Sequence, residues 1–143
     1  MIGRRYLLDN TVLTQLTIEQ RGSRFVSERC RVPGEVLHEA RFLPDIELLR
    51  TFEYPTSARV LARLVEVMSR VRVGDFGLLD LYNNRGSADP LLVACALDAR
   101  EEAEEGLFGY EWMVVTNDRA VRTMCDEFDV GTLSSDELLQ RLD

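Results

Sequence analysis

Two short apolar runs near opposite ends of the chain each stop at a polar triplet that opens a helix. Tyr6-Leu7-Leu8 ends in Asp9-Asn10-Thr11, and Trp112-Met113-Val114-Val115 ends in Thr116-Asn117-Asp118. Runs this short, apolar without alternation, read as strands covered on both faces. Such strands belong to parallel sheets whose crossovers are helices. The rest of the chain must then supply those crossovers.

It does so in sequence. Asp9 or Thr11 caps a helix expected from about Val12 to Gln20, which Gly22 and Ser23 break. Cys30-Arg31-Val32 reads as a strand, and Pro33 opens a helix, a position that tolerates its missing N–H. Val36, Leu37, Ala40 and Leu43 follow at helical spacing. A further helical piece follows Pro44, with Ile46, Leu48, Leu49 and Phe52, and Glu53-Tyr54-Pro55 is a break. Thr56 or Ser57 caps a helix carrying Val60, Leu61, Leu64, Val65, Val67 and Met68. Val71 and Val73 suggest a short strand, Phe76 to Asn83 a helix, and Asn83-Asn84-Arg85-Gly86 a turn. A clear helix starts at Ser87-Ala88-Asp89-Pro90 and runs through Leu97, and the acidic stretch Glu101 to Glu105 reads as a solvated helix end or loop. Arg119 to Glu127 is helical, Val130 to Leu133 is a candidate edge strand, and Ser134 caps a last helix to Leu142. With no long linker and no internal repeat, the pattern predicts one domain over 1–143. Its class is α/β, a three-layer α/β/α sandwich with a central, mostly parallel sheet.

Composition excludes several chemistries. All 17 basic residues are arginine, so no lysine is present for a phosphate-binding P-loop, a Schiff base or a phosphate receiver. A single histidine rules out a zinc centre with several imidazole ligands. The three cysteines, Cys30, Cys95 and Cys125, are odd in number and widely spaced, which argues for packed thiols rather than disulfides. No apolar run spans a bilayer, and Met1 to Tyr6 is too short and too soon interrupted for a signal peptide. The expected location is the cytoplasm, with no membrane partner. The net charge of −8 opposes long-range attraction of a polyanion, although arginine is the better bidentate phosphate ligand.

In a parallel α/β sheet, ligands bind outside the carboxyl ends of the strands. Asp9 and Asp118 both fall there, and Glu39 and Asp89 are expected near the starts of helices on the same edge. Carboxylates gathered in one cleft repel each other, and a hard divalent cation such as Mg²⁺ or Mn²⁺ resolves that repulsion with oxygen ligands. Each acid also has a plainer role: Asp9, Asp89 and Asp118 as helix caps, Glu39 as an acid on an amphipathic helix. Glu35 is a first-turn helix acid or an extra acid at the mouth of the site. His38 reads as a surface or packing residue.

Four blocks in order carry a resemblance. These are Tyr6-Leu7-Leu8-Asp9-Asn10-Thr11, Val32-Pro33-Gly34-Glu35-Val36-Leu37-His38-Glu39, Ser87-Ala88-Asp89-Pro90-Leu91-Leu92-Val93-Ala94 and Val114-Val115-Thr116-Asn117-Asp118-Arg119. Over about Arg5 to Val130 the chain resembles the PIN-domain family of nucleases, and in size the VapC-type toxin ribonucleases of toxin–antitoxin pairs. The resemblance implies a PIN-like sandwich and a Mg²⁺- or Mn²⁺-dependent endoribonuclease acting on single-stranded or looped RNA. Asp9, Asp89 and Asp118 would hold metal, with Glu39 as ligand or water-orienting base and Thr116 and Asn10 in support. Arg85 and Arg119 are candidate phosphate contacts. A homodimer and a small antitoxin protein are the partners implied. The competing expectation is a catalytically idle PIN-like domain that binds protein.

Overall fold

The structure is a computed structural model that describes residues 3–70, 88–106 and 109–142, with backbone alone at 88 and 89. Five strands make one all-parallel sheet in the order β3-β2-β1-β4-β5: β1 (Arg4–Leu8), β2 (Cys30–Pro33), β3 (Glu53–Tyr54), β4 (Glu111–Val115) and β5 (Gly131–Leu133). Tyr6 pairs with Cys30, Leu8 with Val115, and Val115 with Leu133. The expected sandwich is thus present, with every strand parallel.

Strand alternation sorts the core into two layers. Tyr6, Leu8 and Val115 face one side. There they meet Val12 and Leu13 of α1 (Asn10–Gln15), Val26 of α3 (Arg24–Arg29), Val36 and Leu37 of α4 (Gly34–Glu39) and Leu138 of α9 (Ser135–Leu139). Leu7 and Val114 face the other side. They meet Val60 and Val67 of α6 (Ala58–Ser69), Leu92 and Cys95 of α7 (Ala88–Glu105) and Val121 of α8 (Arg119–Glu127). Helices on both faces explain why the strands read as unbroken apolar runs. Cys30, Cys95 and Cys125 are all buried and free, as expected of packed thiols.

Several elements differ from expectation. The helix expected over Val12 to Gln20 is two. The first ends at Gln15, and α2 (Ile18–Arg21) restarts after Thr17, whose hydroxyl accepts from the Gln20 N–H while the Gln20 side chain accepts from the Thr17 N–H. That reciprocal capping box outweighs continuous helical spacing. The break at Gly22 and Ser23 is present, and Ser23 then caps α3. Beyond Pro44, α5 (Ile46–Leu49) tightens into a 3₁₀ turn over Arg50–Phe52, and Glu53–Tyr54, expected as a break, is β3. Ser57, not Thr56, caps α6. Glu101 to Glu105 continue α7. The arginines of α6 meet them: Arg59 lies 3.4 Å from Glu105 and 3.1 Å from Asp98, and Arg63 lies 3.7 Å from Glu101. The expected strand at Val71 and Val73, the helix over Phe76 to Asn83 and the turn at Arg85 lie outside the described residues. Among the described residues, no helix is long and apolar enough to cross a membrane.

Candidate functional site at the carboxyl edge

In the strand order β3-β2-β1-β4-β5 the chain leaves β1 toward β2 and later returns to β1's other side as β4. The crossovers from β1 and β4 therefore diverge, opening a crevice above their carboxyl ends. Asp9 directly follows β1 and Asp118 lies three residues past the end of β4, so both acids stand at that switch point.

Hydrogen bonds fix them. Asp9 caps α1, its Oδ1 accepting from the Val12 N–H at 2.9 Å. Its Oδ2 accepts from the Thr116 hydroxyl at 2.6 Å. The same hydroxyl oxygen accepts from the Asp118 N–H at 3.1 Å. Asp118 in turn caps α8, its Oδ1 accepting from Ala120 and Val121 N–H at 2.8 and 3.3 Å. Thr116 is fully buried and Asp9 nearly so, whereas Asp118 is half-buried. One threonine thus couples the two strand ends, and both acids are caps as well as members of the crevice. The two roles suggested by sequence are not exclusive.

The other expected residues fall around this pair. Asn10 is the first residue of α1, and its Oδ1 is buried without a hydrogen-bond partner. Glu39, expected near a helix start, is the last residue of α4 and half-buried. Because α4 spans only Gly34–Glu39, Glu39 stands about 8 Å along the helix from the end of β2. This helix packs on both α1 and α7, which connects it to the elements carrying Asp9 and Asp89. Asp89 lies in the first turn of α7, its side chain outside the described residues, as is all of Arg85. Arg119 opens α8 and is exposed, and Glu35 and His38 are exposed on α4.

Sequence reading missed Arg122, Asn117 and Ser135. Arg122 Nε donates to the Thr116 carbonyl at 3.3 Å, bringing a guanidinium to the carboxyl edge one helical turn beyond Arg119. Asn117 donates to Ser135 Oγ and accepts from the Ser135 N–H, both at 2.9 Å, tying the β4 loop to α9. Only the i, i+3 relation of Arg119 and Arg122 on a helix following the acid signals the first. The second is a long-range pair with no local signature.

The donors are carboxylate and hydroxyl oxygens, the kind that suits Mg²⁺ or Mn²⁺ rather than a soft metal. Among the described residues no three His, Cys, Asp or Glu side chains gather into a metal-holding group, while Asp9 and Asp118 share the Thr116 hydroxyl. No family model matches the chain, and no curated protein is similar enough to count as a relative.

Proposed function

We propose that the chain is a metal-dependent endoribonuclease of PIN type, hydrolysing phosphodiester bonds in single-stranded or looped RNA. The observation that carries this reading is the Thr116 hydroxyl, which links Asp9 and Asp118 across the switch point of a parallel sheet. A lone helix cap needs no such link, whereas a pair of acids that must act on one ligand needs a fixed spacing. In this reading Asp9, Asp89 and Asp118 hold Mg²⁺ or Mn²⁺, with Glu39 as a further ligand or a base that orients water. The cation would supply an activated water and neutralise charge on the phosphodiester. Asn10 and Thr116 orient the acids, and Arg119 and Arg122, with Arg85, contact phosphates of the strand.

A second reading is a catalytically idle PIN-like module that binds protein. The large apolar side chains of Phe42, Leu61 and Val65, 71%, 50% and 72% exposed, favour it. Exposed apolar side chains of this kind would equally serve a homodimer or a small antitoxin protein in the first reading.

Melting temperature with and without millimolar Mn²⁺, for wild type and Asp9→Asn, tests the choice without knowledge of the substrate. A cation at about ten times its dissociation constant stabilises the fold by ~1.4 kcal/mol. In a domain of this length that is a rise of about 3–6 °C. The nuclease reading expects that rise in wild type alone, followed by RNA cleavage that EDTA abolishes. Equal responses of the two proteins, with no cleavage, would leave the idle module as the better account.

A further inference from the structure

The α7-facing side of the sheet holds a cavity of about 360 Å³, well away from the acids. Arg5 of β1, Arg31 of β2 and Trp112 of β4 floor it, and Ala99 of α7 roofs it, while Tyr54 and Tyr110 stand at its sides. Arg5 precedes Asp9 by four residues along β1, so the cavity lies about 13 Å down the strand from the carboxyl edge.

Glu102 of α7 also lines the cavity, but among the described residues neither arginine is ion-paired. Neither Arg5 nor Arg31 has a described carboxylate within 4.0 Å, in a chain with 25 acids against 17 arginines. Of the other acids nearby, two are engaged elsewhere. Glu53 alternates to the opposite face, where a Cβ on Gly34 would come within 2.7 Å of its Oε2. Asp98 accepts from the Tyr54 hydroxyl at 2.7 Å and pairs with Arg59 at 3.1 Å. Arg31 spends its Nη1 on the Ser27 and Cys30 carbonyls at 3.0 and 2.7 Å. Burial, and then the charge of Arg5, lower its pKa. Arg5 lies with its guanidinium carbon 4.1 Å from the Tyr110 ring centroid, and its Nε is buried with no acceptor. The two guanidiniums, unpaired with any described carboxylate, would attract an anion to the cavity through their charge.

The remaining walls suit a flat ring. Tyr54 and Trp112 meet edge to face with centroids 5.7 Å apart, and both are partly exposed. Gly109 lets the chain press on α7, since a Cβ there would stand 2.4 Å from the Ala103 carbonyl oxygen. That close approach places Tyr110 at the cavity's mouth. Small residues at Ala99 and Ala103 leave the space open. The volume lies within the range of small-molecule pockets, which combine apolar walls with a few convergent polar groups.

We propose that this cavity binds a small organic anion of the nucleoside monophosphate class, its phosphate on Arg5 and Arg31 and its base against Tyr54, Tyr110 and Trp112. Trp112 is the one tryptophan of the chain, so its emission reports on the cavity directly. The test is a fluorescence titration with each of the four nucleoside 5′-monophosphates, with the nucleosides, and with inorganic phosphate. At least one nucleotide should change the emission saturably in the low-millimolar range or below, with nucleoside and phosphate each at least about tenfold weaker. Arg5→Gln should weaken that nucleotide about tenfold or more. Ala99→Leu, which fills the cavity and leaves both arginines, should abolish the response, with melting temperature used to confirm that each variant is folded. No saturable response to any nucleotide in the wild type overturns the proposal. So does phosphate binding as tightly as the nucleotide, or a response that persists in folded Ala99→Leu.

Discussion

The Thr116 hydroxyl donates to Asp9 Oδ2 at 2.6 Å while its oxygen accepts from the Asp118 N–H at 3.1 Å. Leu8 and Val115 are register partners, so Asp9 and Thr116 emerge side by side from adjacent parallel strands. The backbone pairing is what makes this contact between distant parts of the chain short and repeatable.

Replacing Thr116 by valine keeps the volume but removes the donor from a carboxylate that is only 5% exposed. The loss should be about 1–3 kcal/mol, that of a hydrogen bond to a buried carboxylate. Thr116→Ser keeps the hydroxyl and should lose less. Urea denaturation of the two variants measures the difference. Equal losses would mean that methyl packing, not the hydrogen bond, is what Thr116 supplies.

The same residues mark how far the sequence could be read. Strands β1 and β4 are legible because helices on both faces make them apolar throughout, and Asp9 and Asp118 because each directly ends or closely follows such a run. Ser134 announces α9, and the structure completes it as a capping box with Glu137. Thr17-Ile18-Glu19-Gln20 carried an equivalent signal, hidden because Leu13, Leu16 and Gln20 also fit one continuous helix. Strand β3 was illegible for a different reason: two residues, Glu53 and Tyr54, have no periodicity, and pairing with Val32 and Pro33 alone makes them a strand. Asp98 was passed over because an acid on a long helix reads as solvated. It is buried, held by Tyr54 and Arg59 from other elements.

The three cysteines should be silent in the native protein. Burial pushes the thiols of Cys30, Cys95 and Cys125 up to about 12, so almost no thiolate exists near neutral pH. A thiol-specific disulfide reagent at pH 8 should label none of them before unfolding and all three in guanidinium chloride. Rapid labelling of one thiol in native buffer would show that its layer opens locally.

Arg21 and Asp45 form a paired bridge, Nε to Oδ2 at 2.7 Å and Nη2 to Oδ1 at 2.9 Å, with side chains 5% and 12% exposed. Arg21 also donates to the Leu16 carbonyl, closing the joint between α1 and α2. Its hydrogen bonds hold the Asp45 carboxyl below the ordinary value of 3.8. A depressed acid stabilises the fold above its unfolded pKa, and that contribution disappears as pH falls from about 3.8 through the lower folded value. Arg21→Met strands the Asp45 charge and should cost about 3–5 kcal/mol at neutral pH. Its deficit relative to wild type should shrink on acidification below pH ~4, which parallel denaturant titrations across the acid range would reveal. A deficit independent of pH would locate the loss in the Leu16 contact instead.

Asp118 separates capping from charge. Its Oδ1 accepts from two N–H groups at the start of α8, so Asp118→Ala should destabilise by about 0.5–2 kcal/mol. Asn caps as well as Asp, and Asp118→Asn should lose only the interaction of charge with the helix dipole, about 0.3–1 kcal/mol. If Asp118 is a cap and nothing more, Asp118→Asn keeps whatever response to Mn²⁺ the wild type has. If it is also a ligand, Asp118→Asn is nearly as stable as wild type yet loses the Mn²⁺-induced rise in melting temperature. Thermal scans of the three proteins, each with and without Mn²⁺, decide between these outcomes. The asparagine variant carries the decision, because its fold is intact whichever role fails.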